Sequence, residues 1–147
     1  RASSGSSWPR ASGKIDWETP PDFFAEVDAE YHFTLDVCAF AENAKCRKFF
    51  SPEEDGLKQE WTGVCWMNPP YGKGIDLWLD KAKNSAANGA TVVCLVPANT
   101  STKWWHRCVI AAGAKVTFVP RKLTFIGARY PAGFSSALVV FEPPALP

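Results

Sequence analysis

Between Lys81 and Val140 this sequence contains no aspartate and no glutamate. Eight lysines and arginines stand unopposed there, a block of +8, while residues 1–80 hold fourteen of the 15 acids and eight of the 16 basic residues, a net of −6. The formal net charge of +1 averages these two blocks away. An uninterrupted basic block points to a polyanion such as nucleic acid, although a solvated basic face reads the same way. Long apolar runs are lacking too: none approaches the roughly 18 residues of a membrane-spanning helix, so no membrane partner is expected. Nothing near the N-terminus has the apolar centre of a cleavable signal.

Metal and nucleophile signatures are equally scarce. The five cysteines (Cys38, Cys46, Cys65, Cys94 and Cys108) are odd in number and form no CxxC pair, which reads as reduced thiols. Cys38, Cys65 and Cys94 lie in apolar strand-like runs, where a free thiol behaves as a small core hydrophobe. Cys46 has no metal-ligand spacing to His32 or His106, and no metal is expected. Neither histidine has a serine or cysteine partner in a nucleophile signature, so nothing supports a covalent hydrolase.

What is present describes one domain. A length of 147 residues with 46% hydrophobic content suits a single core. Seven tryptophans, within 14% aromatic residues, supply flat surfaces for that core or for a site that stacks planar ligands. Residues 1–13, rich in Ser, Gly and Ala, read as a flexible tail, leaving 14–147 as the domain. Thr19 as N-cap, Pro20 and Pro21 in the first turn, and Phe23, Phe24, Val27 and Tyr31 at helical spacing predict a helix over about 20–31. A buried strand follows from Phe33 to Cys38, ending near Asp36, with further strands at about 47–51, 64–67, 91–96, 115–119, 121–126 and 136–142. Helices are expected from Ile75 through Ser85, ended by Gly89, and over about 102–112, closed by Gly113. Helices alternating with apolar strands predict an α/β fold with a mainly parallel sheet and an antiparallel hairpin at its C-terminal end.

The sharpest signal is Asn68-Pro69-Pro70-Tyr71, directly after the strand Val64–Met67. A residue before proline is held extended, and two prolines lock the backbone that follows. The Asn68 side-chain oxygen and the Pro69 carbonyl can then both accept from one exocyclic amino group, while Tyr71 offers a ring to the attached base. A polar turn leaving a strand is the plainer reading, but chance puts this tetrapeptide in such a chain only on the order of once in several thousand.

The tetrapeptide resembles the NPPY signature of S-adenosylmethionine-dependent amino methyltransferases, a motif shared by enzymes that methylate adenine in RNA or glutamine in proteins. The wider pattern is more specific. WETPPDFFAEVDAEYHFTLDVCA, ENAKC, DGL, WMNPPYG, TVVCLVPANTSTKWWH, RKLTF and FSSALVVF together resemble the small phage-type DNA N-6-adenine methyltransferases (the phage Dam family) from Trp17 to Phe141. The resemblance implies a Rossmann-like S-adenosylmethionine-dependent methyltransferase fold. It also implies transfer of the cofactor's methyl group to N6 of an adenine flipped out of DNA, in the cytoplasm of a bacterial host.

By position, Asn68, Pro69, Pro70 and Tyr71 become the catalytic residues. Trp17, Thr19, Pro20 and Phe23 resemble the segment that closes over the methionine end of the cofactor, and Asp36 the acidic position that takes its ammonium. Asp55 matches a position that accepts from the cofactor's adenine amino group, with a turn or helix cap as the alternative. Ala39-Phe40-Ala41-Glu42-Asn43 replaces the glycine-rich loop usual after the first strand of such folds, and Glu42 or Asn43 could contact the ribose. Lys103, Arg107, Arg121 and Lys122 are the candidate DNA-phosphate contacts, with solvated side chains as the alternative. No segment is long enough for a separate recognition region. A short or loose target is therefore expected, or a homodimer or partner that supplies the contacts. The rival readings are an amino methyltransferase acting on RNA adenine or protein glutamine, and a catalytically silent nucleic-acid-binding module.

Overall fold

The computed structural model describes residues 17–146, so the expected tail over 1–13 lies outside the described residues. Helix α1 (Pro21–Tyr31) starts where consecutive prolines fix the first turn, and its buried Phe23, Phe24 and Val27 share one face. It ends at His32, in the left-handed region at φ 58°, whose N–H donates to the Asp28 carbonyl. Thr19 is not the cap. Pro20 holds that position without a side-chain hydrogen bond, and the Thr19 hydroxyl meets Asn68 instead.

Strands β1 (Leu35–Asp36), β2 (Val64–Met67), β3 (Thr91–Pro97), β4 (Lys115–Phe118) and β5 (Ser136–Phe141) form one open sheet in the order β1-β2-β3-β5-β4. The β1–β2 and β2–β3 ladders are parallel, whereas β5 pairs antiparallel with both β3 and β4. The sheet is thus mixed rather than mainly parallel, because β5 runs back between β3 and β4. The antiparallel β4–β5 pair is joined by the long connection 119–135 rather than a tight turn.

Two expected strands do not form as such. Residues 47–51 contribute a single parallel bridge between Asp36 and Phe49, held by Asp36 N–H to the Lys48 carbonyl and Phe50 N–H to the Asp36 carbonyl, each at 3.0 Å. Residues 121–126 form no strand, although Leu123 and Phe125 are buried between exposed neighbours. That alternation packs them against α1 and Trp17, and the nearest ladder-like contact is one bridge between Glu18 and Ile126.

Alternate residues of β2, β3 and β5 face two cores. On one side Cys65, Met67, Val92, Cys94 and Val139 pack under helix α2 (Ile75–Ala87) through Ile75, Trp78, Leu79 and Ala82. On the other, Trp66, Val93, Leu95 and Val140 pack against Phe23, Phe24 and Val27 of α1 and against Leu123 and Phe125. Helix α3 (Lys103–Trp105), capped by the Thr102 hydroxyl, widens into a π-helical turn over His106–Ile110 instead of running on to 112. That turn keeps Trp105, Cys108 and Val109 facing the α2 side of the sheet. A Cβ at Gly56 would collide with the Val37 carbonyl, so glycine lets the turn Gly56–Lys58 press against the end of β1. No described helix is long and apolar enough to cross a membrane.

Candidate active site

Parallel strands gather their carboxyl ends, and the loops that leave them, on one edge of the sheet. Here that edge collects the loop after β1, Asn68 to Tyr71 after β2, residues 98–102 after β3, and the connection that leaves β4 and returns to β5.

Asn68 is met there by the segment Trp17–Thr19, which crosses it like a strap. Its Nδ2 donates to the Trp17 carbonyl at 2.7 Å and to the Thr19 hydroxyl oxygen at 3.0 Å. The Trp17 carbonyl can only accept, which assigns the amide orientation and turns Oδ1 the other way. Oδ1 is buried and has no hydrogen-bond partner among the described residues. The strap is pinned in turn: the Ile126 N–H donates to the Glu18 carbonyl at 3.0 Å, and Trp17 adopts a left-handed φ of 39°.

Beside Asn68 the strap builds an aromatic nest. The Trp17 ring meets Phe125 and Phe134 edge-on, at 5.3 and 5.1 Å between centroids, and lies within 20° of parallel to Tyr71 at 6.3 Å. Phe125 and Phe134 also meet Tyr71 edge-on. The Tyr71 hydroxyl donates to the Leu95 carbonyl at 3.1 Å, tying the ring to β3, and burial pushes its phenol well above the usual range.

Asp36 ends β1 with 2% of its surface exposed. Its two oxygens accept the backbone N–H groups of Cys38 at 3.2 Å and Lys45 at 2.9 Å, and it forms no salt bridge among the described residues. Burial pushes its carboxyl up to about 7, against the lowering pull of those N–H groups and of the Lys45 charge. Asp55 caps the turn Gly56–Lys58, its Oδ1 accepting from Leu57 N–H at 3.1 Å. Asn43 accepts from Phe40 N–H at 2.8 Å and closes the turn that stands in place of the glycine-rich loop usual in such folds. Among the described residues no three His, Cys, Asp or Glu side chains converge to hold a metal ion.

The family described as DNA N-6-adenine-methyltransferase (Dam) matches residues 6–141. This chain belongs to the Dam family. Among Dam relatives, the "DNA N-6-adenine-methyltransferase" of Haemophilus phage HP1 (strain HP1c1) is 37% identical over 120 residues, covering 80% of this chain and 69% of the relative. The protein of the same name from Escherichia phage T1 is 35% identical over 92 residues, covering 60% of this chain and 38% of that one.

Against the Dam resemblance, the strap residues divide. Trp17 and Thr19 reach Asn68, whereas Pro20 starts α1 and Phe23 is buried beneath it with the Arg121 guanidinium 5.7 Å over its ring. The basic residues divide as well. Arg107 grips Asp80 with two hydrogen bonds of 3.2 Å and lies 3.6 Å from Asp76, bracing the π-turn on α2. Arg121 pairs with Glu26 at 3.1 Å. Lys103 and Lys122 are exposed and form no salt bridge among the described residues. Phe125 and Phe134 line the nest although sequence reasoning gave neither a role; the available signal was their place inside the Dam-like segments RKLTF and FSSALVVF.

Proposed function

We propose that this Dam-family protein transfers the methyl group of S-adenosylmethionine to N6 of an adenine flipped out of DNA. The observation that carries the reading is Asn68 Oδ1, an acceptor buried at the carboxyl edge, turned away from the strap and without a donor among the described residues. A buried polar atom left unpaired costs about 1–3 kcal/mol, so its retention there favours a donor that arrives with the substrate. An exocyclic amine is such a donor. Asn68 Oδ1 and the Pro69 carbonyl accept its two hydrogens, aim the nitrogen lone pair, and stabilise the positive charge that grows on nitrogen. The tethered Tyr71 ring takes the face of the base, with Phe125 and Phe134 as walls of the nest. The base must leave the duplex to reach this edge.

The residues also fit the cofactor. Asp36, buried and in no salt bridge among the described residues, suits its ammonium, and Asp55 beside the end of β1 suits its adenine amino group. When bound, S-adenosylmethionine supplies an electrophilic methyl carbon on a sulfonium. Strands β1 to β4 run in one direction with only β5 opposed, which supports a Rossmann-like arrangement of the domain. Lys103 and Lys122 are the readiest phosphate contacts, while Arg107 and Arg121 must exchange a carboxylate for a phosphate. A second copy supplies recognition contacts if sedimentation on duplex DNA gives two chains per site. The reading implies work in a bacterial host's cytoplasm, where the DNA lies.

Labelled S-adenosylmethionine with defined duplexes, transcripts and proteins tests the acceptor. N6-methyladenine in digested DNA is the expected product. Label confined to RNA or to glutamine replaces the substrate, and DNA binding without any transfer makes the chain a silent binding module.

A further inference from the structure

We propose that Thr19 is a positioning residue for Asn68: its hydroxyl oxygen, together with the Trp17 carbonyl, locks the Asn68 amide in the orientation that presents Oδ1 to the target amine. This rests on the methyl-transfer reading above. The oxygen and nitrogen of a side-chain amide are nearly equal in size, so packing alone does not choose between its two orientations. The choice matters here, because the flipped amide would set N–H donors against the hydrogens of the substrate amine.

The strap makes that choice before any ligand arrives. The Trp17 carbonyl, 2.7 Å from Nδ2, can only accept and so sets the orientation; the Thr19 hydroxyl, able to donate or accept, is thereby made the acceptor of the second amide hydrogen at 3.0 Å and anchors the amide in it. Thr19 is 2% exposed, so water does not compete for the contact. Its place is set from both sides, by the Glu18–Ile126 bridge and the Trp17 ring in the aromatic nest, and by Pro20 and Pro21 entering α1. The same geometry accounts for an uncapped α1: the hydroxyl that sequence reading gave to the helix is committed to Asn68.

Thr19→Val keeps the shape and removes the acceptor, while Thr19→Ser keeps the acceptor. Thr19→Val should lower kcat about tenfold, with calorimetric affinity for S-adenosylmethionine within about twofold of the parent, and Thr19→Ser should restore kcat to within about threefold. In an Asn68→Ala background Thr19→Val should have no further effect. A second readout needs no cofactor. In the 15N-labelled protein, the Asn68 side-chain amide protons, assigned by their loss in Asn68→Ala, should resist solvent exchange in the parent and in Thr19→Ser and exchange faster in Thr19→Val. Thr19→Ala repeats both measurements if valine disturbs folding.

Weakened cofactor affinity with kcat unchanged would reassign Thr19 to the cofactor and overturn the proposal. So would an equal loss in both backgrounds, or amide exchange indifferent to Thr19→Val. If the parent makes no N6-methyladenine, the methyl-transfer reading fails by itself, and the exchange experiment still judges the amide lock.

Discussion

In the parallel half of the sheet, Asp36 and Asn68 at the carboxyl edge are buried and half-buried, respectively, and held by fixed partners; in the antiparallel half, the connection between β4 and β5 carries Arg121, Lys122, Arg129 and Tyr130 in the open. Asp36 takes two backbone N–H groups and Asn68 gives two to the strap, whereas Tyr130 is 71% exposed in a stretch that turns at Gly127, φ 88°. On the proposed reading, the contrast follows from what each half has to meet. A reacting centre of a few atoms gains from partners fixed in advance, because reorganisation at the moment of reaction costs rate. A polyanion is met through many separate charges, which act at longer range and tolerate looser placement.

The strongest test of the fixed half is Asn68→Ala. Turnover should fall by about a hundredfold or more while cofactor affinity is nearly unchanged, since one hydrogen bond made to the transition state is worth about 3 kcal/mol. Near-parent turnover on adenine would remove Asn68 from the chemistry.

Asp36→Ala should act on binding instead, weakening calorimetric affinity for S-adenosylmethionine about tenfold or more. Its raised carboxyl adds a pH signature. The cofactor's cation needs the ionised form, so affinity should tighten as pH rises through about 7, with proton release on binding below that pH. Without ligand the sign is opposite: the folded state holds this proton up to about 7 and the unfolded chain only to about 3.8, so this group lowers stability as pH rises across that window. Asp36→Asn should flatten both profiles, and a parent-like pH dependence in that variant would move the cation site elsewhere.

In the open half, Arg121→Gln with Lys122→Gln should weaken DNA binding and flatten its log–log salt slope by about one to two units, leaving cofactor affinity within about twofold. The lower figure applies if Arg121 stays with Glu26 when DNA binds. An unchanged slope would return the basic block to the solvated-face reading. Smallest of all is Arg107→Gln, since its bridges to Asp76 and Asp80 are exposed: a slight drop in thermal midpoint, erased by high salt, with DNA affinity unchanged. A large loss of DNA affinity there would mean that Arg107 does trade its carboxylates for phosphate.

Local pattern made the fixed half legible. Helix α1, β2, α2 and β3 fall within a residue or two of where proline, glycine and apolar spacing put them, and Asn68-Pro69-Pro70-Tyr71 names itself by rarity. The rest depends on partners distant in sequence. Thr19 has the sequence context of a cap, and only its approach to a residue 49 positions away reveals another use. Residues 121–126 alternate like a strand because one side of the segment is buried, whatever covers it, while its ladder pairing stops at the single Glu18–Ile126 bridge. The pairing of Arg121 with Glu26, 95 positions apart, likewise leaves no local trace.

Two acceptors aimed at one nitrogen also amount to a rule of exclusion. On the proposed reading, a base whose corresponding position carries a carbonyl oxygen, such as thymine O4 or guanine O6, would face Asn68 Oδ1 and the Pro69 carbonyl with like charge and no proton between them. Such a base is refused by repulsion and by stranded buried acceptors, a stronger sieve than shape alone. Cytosine, which carries an amine, passes that sieve. Separating it from adenine falls to the size of the nest formed by Trp17, Tyr71, Phe125 and Phe134. Polarity thus selects the functional group, and aromatic packing selects the ring that bears it.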